Sequence, residues 1–370
     1  MPLYTRCLRP LLFRADPELI HDRALAAASL AGRLPAICPL LHAALHHHDP
    51  ALAVDTCGLR FHHPLGLAAG FDKNGRAIPL WQSLGFSHVE IGSISAHPSA
   101  GNPKPRLFRL PQDRAIVVNY GLPNHGAARV AQRLALIRNQ LKAPLGVNLV
   151  NTNRGPAAPP ETDEQIIRDY ATSFTTLQPL CAYIVLNLSC PNTCDGRAFV
   201  SDLHRVRALL DAIAAVRPAK PVFLKIAPFS ALPQLDSFLD AVSAYPFLRG
   251  FSINLPPGKP PGLTASPDQL QRMPGAVSGA PAEAAANQAI AHLYRRIDPA
   301  RHIIIGSGGI FTPEDAWRKI TLGATLLQAL TALVYEGPAI VHRIAAGLSQ
   351  ILRREGFTHT QQAVGSAVRP

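Results

Sequence analysis

Seven short apolar runs in this chain end in polar tips of unusual chemistry, and those tips are the first sign of a site. They are Ala69-Gly70-Phe71-Asp72-Lys73-Asn74-Gly75, Gly92-Ser93, Asn148, Asn187-Leu188-Ser189-Cys190-Pro191-Asn192-Thr193, Lys225, Asn254 and Gly306-Ser307-Gly308-Gly309. One such tip is chance. Seven in succession, rich in amides, lysines, hydroxyls and glycines, suit a pocket for a flat, polar, anionic ligand. Lysines at strand ends usually stand in solvent. Lys73 and Lys225, converging on a ring of amides, would instead bring positive charge to a substrate carboxylate or an electron-rich ring. The glycine turn at 306–309 runs into a helix start at Thr312-Pro313-Glu314, where free N–H groups and the helix dipole favour a phosphate. A glycine-rich turn alone is weak evidence, and after the seventh strand of a barrel it carries more. Cys190 has the ordinary reading of a free cysteine, a small buried residue. In a loop at a barrel mouth it has a second reading, a group that moves a proton.

These tips need a frame that gathers them. Strand-like apolar runs lie at 65–69, 88–92, 144–149, 181–188, 221–227, 249–254, 302–307 and 325–329. Helical stretches alternate with them at 125–142, 163–178, 201–216, 231–244, 281–296 and 312–321. Eight β–α units predict an α/β fold, a parallel sheet buried on both faces and closed as a (β/α)8 TIM barrel, with its site at the strands' C-terminal ends. An open doubly wound sheet is the alternative, but no G-x-G-x-x-G follows the first strand.

Residues 1–48 read differently. Asp16-Pro17-Glu18 is a helix start, with an N-cap carboxylate, a first-turn proline and an acid at the positive end of the dipole. Ile20, Ala24, Ala27, Ala31 and Leu34 then share a side, and Pro35 interrupts. Ile37, Leu40, Leu41, Ala44 and Leu45 give a second amphipathic stripe. Two readings stand side by side: a helical hairpin packed on the barrel, and a foot lying in a membrane interface. The chain thus divides into an N-terminal segment 1–48, a barrel 51–354 and a C-terminal tail 355–370.

Composition limits the partners. Over 370 residues, 47% are hydrophobic and 16% charged, which is globular and not disordered. The net charge of +12 fits nucleic acid, an anionic membrane face or anionic small molecules, and does not choose among them. Six cysteines at 7, 38, 57, 181, 190 and 194 form no C-x-x-C pair and no metal-ligand spacing. Without a signal peptide they read as reduced thiols on a cytosolic face, and no metal is expected. No apolar run reaches the roughly 18 residues needed to span a bilayer.

At these residues the chain resembles the dihydroorotate dehydrogenases over nearly its whole length, and more closely their quinone-linked class (class 2). Leu12-Phe13-Arg14-Ala15-Asp16-Pro17-Glu18-Leu19-Ile20-His21 looks like the membrane-docking extension of that class. Gly101-Asn102-Pro103-Lys104-Pro105-Arg106-Leu107-Phe108-Arg109-Leu110-Pro111 is highly specific to it, as are Gly66-Leu67-Ala68-Ala69-Gly70, Asp72-Lys73 and Lys225-Ile226-Ala227-Pro228. The resemblance implies one FMN per chain, contacted by Ala69, Gly70, Phe71, Asp72, Lys73, Ser93, Asn148, Asn187, Lys225, Asn254, Gly279, Gly308, Gly309, Leu330 and Thr331. Dihydroorotate would be held by Lys73, Asn187, Asn192, Thr193 and the loop Asn119-Tyr120-Gly121-Leu122, with Cys190 as base. His21 and Arg109 match positions near the quinone tunnel. Implied with these are a ubiquinone-type acceptor, pyrimidine biosynthesis as the setting, a monomer, and peripheral attachment to the anionic cytoplasmic face of the cell membrane.

Some positions depart from the pattern. The quinone-linked class has Ser where this chain has Cys190, and Cys is the habit of the soluble classes. Gly121-Leu122-Pro123-Asn124 also has a soluble-class look. Val118 stands where an orotate-binding Asn is expected, Asn254-Leu255-Pro256-Pro257 replaces a Thr-Asn-Thr pattern, and Leu330 replaces a Tyr. Two rivals follow. A dihydrouridine synthase-like flavoprotein acting on tRNA would share the barrel, an Asn-x-x-Cys-Pro pattern and a use for the charge, but has no role for the N-terminal hairpin. A flavin-binding pseudoenzyme is the non-catalytic rival, suggested by Val118 and Leu255.

Overall fold

The computed structural model describes residues 3–189, 199–229 and 231–368. A hairpin precedes the barrel: β1 (Val54–Thr56) pairs antiparallel with β2 (Leu59–Phe61). Cys57 (φ +54°) and Gly58 (φ +73°) form its two-residue turn, both in the left-handed region that such tight hairpins require. The hairpin stoppers the barrel's floor. Val54 and Phe61 pack against Tyr183, Val185, Phe223, Ile303, Ile305 and Leu326 inside it.

All eight expected strands form, each within a residue or two of its apolar run. They are β3 (Leu65–Leu67), β4 (Val89–Ile94), β7 (Leu145–Leu149), β8 (Tyr183–Asn187), β9 (Val222–Ile226), β10 (Leu248–Ile253), β12 (Ile303–Ser307) and β13 (Leu326–Ala329). They pair in parallel in the order β3-β4-β7-β8-β9-β10-β12-β13 and close back on β3. Every residue of β4, β7, β8 and β9 is buried, as a sheet covered on both faces demands. Register sets neighbours at the mouth: Gly92 beside Asn148, and Asn187 beside Lys225.

The apolar runs did not reveal a second sheet. β5 (Leu107–Leu110), β6 (Ala115–Val118) and β11 (Ala276–Gly279) form three antiparallel strands in the order β11-β6-β5. These strands come from the chain after β4 and after β10.

The N-terminal segment is helical, as the stripes predict. Asp16 caps the helix Pro17–Ala31 by accepting from the Leu19 N–H at 2.8 Å, and a second helix spans Ile37–Leu45. The first helix ends before Leu34, which is exposed and off the stripe expected for it. Residues 4–12 form two further short helical turns. The C-terminal stretch is no loose tail: Gly365 and Ala367 N–H donate to the carbonyls of Ile320 and Thr321, and Phe357 stacks against Trp317.

Candidate functional site

A cavity of about 640 Å3 begins at the C-terminal ends of the barrel strands and runs outward between the two N-terminal helices. Its inner half is polar. Ala69, Gly70, Phe71, Lys73, Ser93 and Asn187 line it from β3, β4 and β8, and Lys225 and Asn254 from β9 and the end of β10. Lys73 Nζ donates to the Gly70 carbonyl at 2.9 Å and lies 3.8 Å from the centre of the Tyr120 ring. Burial, and then the nearby Arg106 charge, pull its ammonium down to about 8. Among the described residues Lys225 Nζ donates no hydrogen bond, so its charge is available to a ligand.

Amides around this half are held by one another. Asn254 Nδ2 donates to Asn187 Oδ1 at 3.3 Å and to the Ser189 carbonyl at 3.0 Å. Asn187 Nδ2 donates to Ser93 Oγ at 3.3 Å, and Ser93 donates to Asn148 Oδ1 at 2.5 Å. Asn148 is fully buried behind Ser93 and is linked through it to the cavity.

One wall is shaped for a phosphate. Gly279 (φ +113°), Gly308 (φ +84°) and Gly309 (φ +73°) line it with Leu330 and Thr331. A Cβ on Gly279 would sit 2.3 Å from the Arg114 carbonyl oxygen, and one on Gly309 2.5 Å from Glu283 Cβ. Only bare backbone fits there, which leaves N–H groups for an anion. Thr331 opens the helix Thr331–Glu336, and its hydroxyl meets that of Ser278 at 2.7 Å. An FMN-sized group with a phosphate at one end and a ring among amides and Lys225 fits these residues.

The outer half is apolar. Ile20, Ala24, Ala27 and Ala31 of the first helix face Ile37 and Leu41 of the second across it. His21 lies where the halves meet, edge-on to Phe71 at 5.2 Å and near Tyr120. Burial, then the Lys73 charge, push its imidazole down to about 3, so it is neutral at physiological pH. Arg109 lines the outer half, holds the Leu12 and Ala15 carbonyls at 3.3 and 3.2 Å, and stacks over Phe13. Residues 4–13 are strapped to the barrel by Tyr4 Oη on the Val334 carbonyl and Arg9 on the Tyr335 carbonyl.

The GNPKPR stretch has a structural explanation. Arg106 clamps the buried Glu18 carboxylate through Nε (3.1 and 3.3 Å) and Nη2 (2.8 Å), while Lys104 approaches from solvent at 3.2 Å. Its Nη1 holds the Ala100 and Asn102 carbonyls. This clamp fixes the first helix over the mouth.

Not every expected residue reaches the cavity. Asp72 points away: its oxygens accept from the Arg76 and Ala77 N–H groups and from Trp81 Nε1, so it fixes the loop that carries Lys73. Of the substrate loop, Tyr120 and Leu122 line the cavity, whereas Asn119 is spent on the Asn102 amide and Gly121 packs against Asn102. Cys190, Asn192 and Thr193 lie outside the described residues. The departures Val118, Leu255 and Leu330 all line the cavity, where each presents an apolar side chain. Sequence reasoning missed Gln328 and Ser278, which also line it. Gln328 was legible as a polar residue inside the run 325–329; Ser278 lies on a strand that no apolar run announced.

Comparison with known proteins agrees with this geometry. A family model for dihydroorotate dehydrogenase matches residues 51–352. A Mycobacterium sp. protein named dihydroorotate dehydrogenase (quinone) is 41% identical over 364 residues, 98% of each chain. One of the same name from Gloeobacter violaceus is 41% identical over 368 residues, 99% of each. Among solved structures, the DHODH of Eimeria tenella in complex with ferulenol superposes with a TM-score of 0.84 at 30% identity, covering 96% of each chain. The chain belongs to the dihydroorotate dehydrogenase family.

Proposed function

We propose that this chain oxidises (S)-dihydroorotate to orotate in the inner half of the cavity and delivers the electrons to a membrane quinone in the outer half. The observation that carries it is continuity: one cavity joins an amide-lined, cationic strand-end site to an apolar gap between two helices. FMN, when bound, supplies the redox chemistry, accepting a hydride and passing on two electrons. Gly279, Gly308, Gly309, Leu330 and Thr331 would take its phosphate, and Ser93, Asn187, Lys225 and Asn254 its ring system. Lys73 and Asn187, with Tyr120 and Leu122 beside them, would hold the anionic substrate. Cys190, flanked by Asn192 and Thr193, would take the C5 proton as the C6 hydride departs, and the C5–C6 double bond forms in the same conversion. Neutral His21 and cationic Arg109 would flank the quinone.

No helix of the described residues is long and apolar enough to cross a membrane. Leu8, Leu11, Leu19, Leu30, Leu34 and Leu40 nevertheless stand exposed on the N-terminal segment. Those leucines and the +12 charge support peripheral docking on an anionic cytoplasmic membrane face, with a ubiquinone-type acceptor drawn from the bilayer. A tRNA substrate has no use for the apolar half, and the relatives' names speak against it. The test is direct: purified protein should be yellow, hold one FMN per chain, and reduce a short-chain ubiquinone analogue with dihydroorotate. Colourless protein that gains no flavin on reconstitution refutes the proposal. FMN-loaded protein without turnover leaves the pseudoenzyme reading in its place.

A further inference from the structure

Beneath the inner half of the cavity the barrel axis is polar. Glu90 (β4) is fully buried and in no salt bridge among the described residues. Its Oε1 accepts from Asn148 Nδ2 at 2.9 Å and its Oε2 from Gln328 Nε2 at 2.6 Å. In the closed barrel β3 lies between β4 and β13, so the contact with Gln328 passes through the interior. Among the described residues, Ser252 Oγ, Gln328 Oε1, the Tyr183 hydroxyl and both ring nitrogens of His88 are buried and make no hydrogen bond. Glu90, Ser252, Gln328 and Tyr183 come from alternate strands of the barrel, the positions that branched aliphatic residues ordinarily fill.

The hydrogen bonds run one way. Asn254 donates to Asn187, Asn187 to Ser93, Ser93 to Asn148, and Asn148 to Glu90, while Gln328 donates to Glu90 from the other side. A carboxylate only accepts, so it is the natural end of such a chain and fixes which face each amide shows. With Nε2 committed to Glu90, Gln328 has Oε1 left as an acceptor, and Gln328 lines the cavity. Of the four groups on the other branch, Asn254, Asn187 and Ser93 line it as well.

We propose that Glu90 is a positioning residue for the flavin, an anchored buried anion that orients the Asn148 and Gln328 amides and opposes the arrival of negative charge on the ring. The inference rests on the FMN reading above. A negative charge held in a low-dielectric interior acts over distance with little screening, and it disfavours the reduced ring relative to the oxidised one. Burial, and then the charge of Glu90, hold the Tyr183 phenol well above the ordinary value, so its hydroxyl keeps its proton and remains a donor available to the carboxylate.

The measurement is the reduction potential of the bound flavin, read by equilibration with reference dyes on FMN-loaded protein. Glu90→Gln keeps the shape and removes the charge. It should favour reduced over oxidised flavin by about tenfold, which is about 30 mV upward for a two-electron couple. Tyr183→Phe leaves the charge and removes the hydroxyl, and should move the potential downward. A merely structural role would move both variants the same way. Should Glu90→Gln fail to fold with flavin, Tyr183→Phe decides: a downward shift supports the proposal, and none or an upward one overturns it. Wild-type protein that takes up no FMN overturns the proposed function and this inference together. Wild-type protein that binds FMN, with a reduced-to-oxidised ratio in Glu90→Gln within threefold of its own at equal applied potential (a shift under about 14 mV), overturns this inference alone.

Discussion

The Glu18–Arg106 clamp sets a measurable part of how firmly the first helix sits on the barrel. Of that helix only Glu18, Leu25 and Ala28 are buried; Ile20, Ala24, Ala27 and Ala31 face the cavity. Burying the leucine contributes about 2 kcal/mol and the alanine methyl about 0.8. Removing one partner of a buried pair costs about 3–5 kcal/mol, because the other charge stays behind. Glu18→Gln keeps one hydrogen bond to Arg106, which itself retains the Ala100 and Asn102 carbonyls, so we take about 2–3 kcal/mol. Lys104 is exposed and adds little. At 1.4 kcal/mol per factor of ten, helix docking should weaken about 30–150-fold, as much as losing the leucine.

Arg23 reports that equilibrium, being exposed in mid-helix and uncleavable by trypsin until the helix opens. When opening is fast relative to cleavage, the rate follows the open population, and cleavage after Arg23 should rise by the same 30–150-fold. The expectation holds at neutral pH. Burial raises the Glu18 carboxyl pKa, but the Arg106 and Lys104 contacts more than reverse it, leaving it below the ordinary value. A lowered carboxyl contributes stability above its unfolded pKa of about 4.3, lost as pH falls through the folded value, so wild type should approach the variant in acid. In stopped-flow, flavin reduction by dihydroorotate should stay within about twofold of wild type, while reoxidation by quinone slows. A change in Arg23 cleavage below threefold would refute the clamp. Equal acceleration at sites in the barrel would show that the whole fold had loosened instead.

Two further predictions concern the inner site. With Lys73 at about 8, its ammonium is present below that pH and lost above it, so substrate affinity of the free enzyme should fall up to tenfold per unit above pH 8; a flat profile from 7 to 9.5, measured by flavin bleaching, removes Lys73 from carboxylate binding. Cys190→Ala should slow flavin reduction by about 10²–10⁴ without loss of FMN, and Cys190→Ser should recover part of that rate with a higher apparent pKa; reduction unchanged in Cys190→Ala rules the thiol out as base.

Much of the frame was legible because each barrel strand must be buried on both faces. Runs such as Tyr183–Asn187 then have no polar interruption until the mouth, and the interruption itself marks the site. What escaped has partners far away in the chain. β11 meets β6 across more than 150 residues, and its own four residues, Ala-Val-Ser-Gly, carry no alternation to announce them. Arg106 stood within a motif read for its family likeness, but its role depends on Glu18, 88 positions earlier. Asp72 was misread for a related reason. Its neighbour Lys73 does face the ligand space, and a loop's direction at one residue does not determine it at the next.

The alanine stripe of the first helix was the most informative ambiguity. A stripe at helical spacing means that a face avoids water, and it reads the same whether that face packs on a core or lines a void. Residue size separates the two. A face of leucines would fill more of the space beside the second helix, whereas Ala24, Ala27 and Ala31 line the 640 Å3 cavity together with Ile37 and Leu41. An unfilled apolar space forfeits contact energy, so the helix needs an anchor of another kind. The buried Glu18 clamp at its N-terminal end supplies one, together with Leu25, which lies on the same side of the helix as Glu18, and with the buried methyl of Ala28. The polar clamp and the hollow apolar face are therefore two halves of one arrangement: the first allows the second to stay open for a ligand.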